Sequence, residues 1–257
     1  MEDLTRSLHT LWTIFKHEFR LYWISPIAYL VGGAWLLLSG FFFSVSLAQF
    51  NQSGGFFFGA SEPSLIGTFS PMTFLIMFLA PALTMRLVSD EIRSGTHELL
   101  LTAPVRDWEV IVGKWLGVWG AFTLILLLTL PYAFLLVWRG TPDQGMMITG
   151  YLGYWLWTGT MLAIGVLASA LTQYQLVAFM IGEAIALALF LADRVGILIT
   201  QPVISEVFNQ LTFSAHYRDT MLTRGLIEAV DLAYFIGLIA IALFLATQVL
   251  SMRRWRS

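Results

Sequence analysis

The sequence contains no cysteine, which removes disulfides, thiolate metal sites and cysteine nucleophiles and leaves the redox compartment open. Charge is the second scarcity: 12% of the residues are charged and the mean hydropathy is +0.76. Soluble domains carry roughly 25% charged residues, so this chain has too little charge to coat a water-facing surface. A net charge of −2 argues against nucleic acid as a partner. Catalytic motifs are missing as well. His97-Glu98 begins like HExxH, but position 101 is leucine, so the second zinc ligand is absent. Gly113-Lys114 resembles the end of a P-loop, yet Trp108 stands where its first glycine belongs and Trp115 where Ser or Thr is needed. His9, His17, His97 and His216 form no ligand spacing, and no serine sits in a G-x-S-x-G elbow. The chain is expected not to be an enzyme and to bind no cofactor or metal itself.

What is present is apolar sequence in long runs. Between Arg20 and Arg86 the only charged residue is Glu62, and none occurs over 115–138, 144–182 or 232–252. About 20 mainly apolar residues are needed to cross a bilayer core as helix. Six spans are expected, at 27–49, 70–88, 112–137, 147–170, 176–195 and 231–251, which makes this an all-α polytopic membrane protein in contact with the lipid bilayer.

Before the first span, residues 1–24 carry Leu4, Leu8, Leu11, Trp12, Phe15, Phe19 and Tyr22 at helical steps of three and four, with His9, Thr13, Lys16, His17 and Arg20 elsewhere. This reads as an N-terminal interfacial amphipathic helix lying in the plane of the membrane interface, with an ordinary amphipathic helix packed on protein as the alternative. The stretch lacks the uninterrupted apolar core of a signal peptide. With the N-terminus inside, the inner segments hold ten Lys and Arg (Arg6, Lys16, Arg20, Arg86, Arg93, Arg106, Lys114, Arg253, Arg254, Arg256). The outer ones hold four (Arg139, Arg194, Arg218, Arg224), which completes the chain's 14. The positive-inside rule then places both termini on the cytoplasmic side.

No soluble domain or internal repeat interrupts residues 25–257. The outer segment 196–230 is made of short apolar pieces broken by Pro202, none long enough to span, and is expected to form short re-entrant helices. Glu183 is the one acidic residue well inside an apolar run. A charge at mid-membrane costs about 2.5–3.5 kcal/mol on insertion scales, so Glu183 either lines a pathway or locks helices together. Gly113, Gly117 and Gly120 have the small-residue spacing of close helix contacts, within the chain or between two copies.

The most charged passage is "RLVSDEIRSGTHELLLTAPVRDWEVIVGKWLG", residues 86–117. Its middle, Thr96 to Leu101 before Pro104, fits two helical turns, a length marginal in water without an external surface. The passage resembles that of ABC-2 type transporter permeases, most nearly the gliding-motility-associated group. The similarity lies in Glu91, Arg93 to Thr96, Glu98 to Thr102, Pro104, Asp107 to Glu109 and Gly113-Lys114. "ASALTQYQLVAF" at 168–179, "RGLIEAVDLAYF" and the closing "MRRW" extend the resemblance over most of 75–256, with Glu228 a minor departure where Asp is usual.

That resemblance implies a single ABC-2, type V exporter-like transmembrane domain with a cytosolic coupling helix between spans two and three, within 89–107. It implies two cytosolic ABC ATPase subunits, carrying the ATP and Mg, docked on Glu91, Arg93, Ser94, Gly95, Thr96, His97, Glu98, Leu99, Leu100, Leu101 and Pro104. A second permease chain, identical or different, is implied as well, with an extracytoplasmic accessory protein as a further candidate, in a bacterial cytoplasmic membrane. A non-transporting scaffold or force-transmitting subunit of an envelope or motility machine is the alternative.

Overall fold

A computed structural model describes residues 2–53, 64–95, 105–198 and 212–254. The described residues are helical, without strands. In chain order the helices are α1 (Glu2–Ile24), α2 (Pro26–Ser53), α3 (Ile66–Thr84), α4 (Ser89–Ser94), α5 (Asp107–Leu127), α6 (Leu130–Arg139), α7 (Gln144–Leu171), α8 (Gln175–Leu198), the π-helix Ser214–Leu222 and α9 (Ala229–Arg254). Six of the resulting segments are long and apolar enough to cross a membrane: Ala28–Gln49, Ile66–Ser94, Asp107–Trp138, Gln144–Leu171, Gln175–Ala192 and Ala229–Arg253. They coincide with the six apolar runs of the sequence.

The helix α7 is the central post. Its apolar window is 83% buried, against 17% for α8, and it packs against α3, α5, α8, α9 and the π-helix. Asp143 caps it, accepting from the amides of Gly145 at 2.7 Å and Met146 at 3.3 Å, which satisfies two of the orphan donors at a helix start. At the other end Arg253 of α9 donates to the Leu171 carbonyl at 2.7 Å, a favourable place for a cation beside a helix C-terminus. Indoles cross-tie α5 to α7: Trp115 Nε1 donates to Gly159 O, Trp119 Nε1 to Trp155 O and Trp155 Nε1 to Thr123 Oγ1.

The third span differs from the single helix expected over 112–137. It breaks at Leu128–Thr129, because Pro131 has no amide to continue the helical ladder. Thr129 repairs the break by donating to Leu126 O, and its own carbonyl accepts from the Tyr151 hydroxyl at 2.8 Å.

The first helix packs on protein. It lies along α5, and Gly113, Gly117 and Gly120 make that approach possible. A Cβ on Gly117 would stand 2.5 Å from the Glu18 Cβ, and one on Gly113 would stand 2.7 Å from Ile14 Cγ2. The small-residue stripe therefore serves a contact within the chain. The apolar face read from the sequence is divided: Leu11, Phe15, Phe19 and Tyr22 turn partly inward, while Leu8 and Trp12 stay exposed at 57% and 54%. The polar residues Ser7 and Glu18 are buried instead.

Of the segment 196–230, the described part after residue 211 forms a nine-residue π-helix, with the Thr223 amide bonded to Arg218 O, the i→i−5 pattern. Tyr217 and Met221 press onto α7 at Gly153, where a Cβ would lie 2.5 Å from the Tyr217 ring.

Candidate functional site

Residues 96–104, which hold Thr96, His97, Glu98, Leu99, Leu100, Leu101 and Pro104 of the expected coupling helix, lie outside the described residues. The segment that leads into them is described. It is α4, six residues with Asp90 and Glu91 in the first turn and Arg93 in the last. Gly95 ends the helix at φ +71°, a left-handed conformation that glycine adopts without steric cost. Ser94 turns its hydroxyl back to the Asp90 carbonyl, and Arg93 is exposed.

Three polar ties hold α4 to the bundle. The first is a buried ion triad. Lys114 of α5 places Nζ 2.8 Å from Glu18 Oε1 on α1 and 2.7 Å from Glu91 Oε1 on α4. The Lys114 and Glu18 side chains are nearly closed to solvent and Glu91 is only partly exposed. The second is Ser169 near the end of α7, whose Oγ accepts from the amides of Val88 and Ser89 at 3.1 and 3.0 Å and donates to Met85 O at 2.9 Å. One hydroxyl thus satisfies the turn between α3 and α4. In the third, the Gln175 amide at the start of α8 donates to Asp90 Oδ1. Beside the triad, the Tyr22 hydroxyl donates to Leu83 O at 3.0 Å, and burial pushes that phenol well above its usual pKa.

Of the residues expected to meet a partner, Glu91 faces inward to Lys114, while Arg93, Ser94 and Gly95 sit at the outer end of α4. Lys114 was not legible as a functional residue. In the sequence it is the end of a failed P-loop and one of ten inner cations, yet it is 4% exposed. The usable signal was its position among Gly113 and Gly117, a stripe too crowded to leave a lysine facing water. Glu18 was hidden in the same way within an amphipathic pattern that it contradicts.

Glu183 lies away from this cluster, on α8. Its neighbour Gly182 packs against α3 and α7, where a Cβ would stand 3.1 Å from Pro81 Cβ and 3.4 Å from Ala168 Cβ. Glu183 borders that seam. The residue is partly exposed, but both carboxylate oxygens are enclosed without a hydrogen-bond partner. At the opposite end of the bundle from α4, His216 Nδ1 meets Asp231 Oδ1 at 2.8 Å, and the imidazole stacks on Tyr234.

The triad makes a stability prediction. K114M leaves two carboxylates facing each other without their cation and is expected to destabilise the chain by about 3–5 kcal/mol, as breaking a buried pair does. Adding E18Q and E91Q should recover most of that loss. Thermal unfolding in detergent, followed by tryptophan fluorescence, measures both; equal melting temperatures for wild type and K114M would contradict the assignment.

Comparison with curated proteins finds no match. A family model described as ABC-2 family transporter protein matches residues 12–254, a range that takes in α4, the triad, Glu183 and every span. By that match over nearly its full length, the chain belongs to the ABC-2 transporter family.

Proposed function

We propose that the protein is the transmembrane permease subunit of an ATP-driven transporter in a bacterial cytoplasmic membrane, with both termini cytoplasmic. Two cytosolic ABC ATPase subunits bind the ATP and Mg and dock on α4 and the segment 96–104. A second permease chain, identical or different, completes the pathway; within the family the gliding-motility-associated group is the favoured placement, on the passage 86–117. An extracytoplasmic accessory protein is a further candidate partner. The observation that carries this reading is the construction of α4: a helix of six residues, too short to persist alone in water, is held by polar ties to α1, α5, α7 and α8.

The mechanism follows from those ties. ATP-driven closure of the ATPase subunits displaces 96–104, and α4 moves with it. Lys114 passes the displacement to α1 and α5, while Ser169 and Gln175 pass it to α7 and α8. The chain itself supplies no chemistry to ATP hydrolysis; it supplies a stiff joint and a pathway. Glu183 is the proposed pathway residue, a reading supported by its enclosed carboxylate without a partner, which is retained at a cost.

Two outcomes test this. R93E combined with E98R is expected to release the ATPase during co-purification in detergent, since both positions belong to the docking passage; undiminished co-purification would sink the docking assignment. E183L should raise the melting temperature, because it removes a charge at membrane depth, while lowering ATP turnover of the reconstituted complex at least several-fold. Unchanged turnover would remove Glu183 from the pathway.

A further inference from the structure

Two cavities meet at the corner where α1 turns into α2. One, about 250 Å³, is almost wholly apolar. It lies between α2 and α5 and is lined by Gly32, Gly33, Leu36, Val118, Phe122 and Leu128 among others. The other, about 570 Å³, opens beside the ion triad and is lined by His17, Glu18, Arg86, Asp90, Glu91 and Lys114 among others. Tyr22, Ala28, Val31 and Leu83 wall both. The pair is therefore one amphipathic site, with a charged chamber at the α4 end of the bundle and an apolar crevice leading away from it. Along α5 the crevice runs from Val118 to Leu128, about 15 Å at 1.5 Å per residue, enough for much of an acyl chain.

The charges of the chamber define what it accepts. Its carboxylates Glu18 and Glu91 are both taken by Lys114. Asp90 is met by Gln175, a neutral amide that leaves its charge uncompensated. Arg86 is exposed and forms no ion pair among the described residues. One helical turn separates the two, with the Asp90 amide bonded to Arg86 O. The chamber thus presents one unmatched cation beside one unmatched anion, at the mouth of a groove shaped for hydrocarbon. A guanidinium is suited to bind phosphate through paired N–H donors, and a carboxylate accepts from a primary ammonium.

We propose that chamber and crevice together bind one phospholipid with an amine-bearing zwitterionic headgroup. Its phosphate sits on Arg86, its ammonium on Asp90, and one acyl chain lies in the crevice between α2 and α5. A bound lipid there would close the gap between α2 and α5 while leaving the triad untouched. Its presence is independent of whether an ATPase drives the protein.

The test uses the full chain, stripped of lipid in detergent and offered phosphatidylethanolamine, phosphatidylcholine or phosphatidylglycerol, with native mass spectrometry counting bound lipid. Wild type is expected to retain one phosphatidylethanolamine with roughly tenfold preference over the other two. Phosphatidylcholine lacks the N–H donors for Asp90, and phosphatidylglycerol lacks the cation. R86Q should weaken that binding about tenfold, and D90N should erase the preference over phosphatidylglycerol. G33L should block all three lipids alike. A Cβ at Gly33 meets nothing within 4 Å, so that variant keeps its fold, which its melting temperature verifies. Equal retention by wild type, R86Q and G33L would reduce the site to ordinary annular lipid and overturn the proposal. A preference for phosphatidylglycerol would overturn the headgroup assignment.

Discussion

A lysine ammonium enclosed at the edge of a membrane-spanning bundle has to be neutralised, and the placement of Lys114 constrains everything around it. Desolvating an ion costs several kcal/mol even after relaxation, and here two carboxylates from two other helices repay it. For Glu18 to reach Nζ, α1 must lie flat on α5. That approach is possible only because Gly113 and Gly117 present no side chain. For Glu91 to reach it, α4 must stand where the turn after α3 puts it, and Ser169 fixes that turn by bonding two successive amides. One cation thus dictates the composition of one helix face, the position of a second helix and the geometry of a turn.

The same interaction divides the bundle into two groups of helices that share α4. One is α1 with α5, joined by the glycine contacts and Lys114. The other is α7 with α8, reached through Ser169 and Gln175. Between the groups the indoles of Trp115, Trp119 and Trp155 bond α5 to α7 along the membrane-spanning length. A displacement entering at α4 therefore meets a braced frame rather than a loose loop. This is the property that the proposed coupling requires of a joint between a motor and a pathway.

The spans were legible from the sequence because lipid enforces them: six long apolar runs poor in charge correspond to six candidate spans. The break at Thr129 was marked by Pro131, but hydropathy counts residues and does not register the loss of one amide. The burial of α1 against α5 was half visible, since the glycine stripe announced a close contact without naming its partner. The roles of Lys114 and Glu18 were not legible, for a physical reason. Charge scarcity identifies where charges are absent, and an isolated cation just before an apolar run looks like an ordinary flanking residue until its partners, 96 and 23 positions away, are brought to it by the fold. Glu183 was legible because a lone carboxylate in an apolar run is anomalous at any register.

The central claim is that Lys114 makes α1 and α4 move as one body. The protein has no cysteine, so spin labels can be attached at cysteines introduced for Lys16 on α1 and Arg93 on α4, both exposed. Pulsed electron-electron distance measurement on the doubly labelled chain reconstituted in lipid should give a single narrow distribution. The same pair in a K114M background should give a broad distribution. Indistinguishable distributions in the two backgrounds would contradict the account.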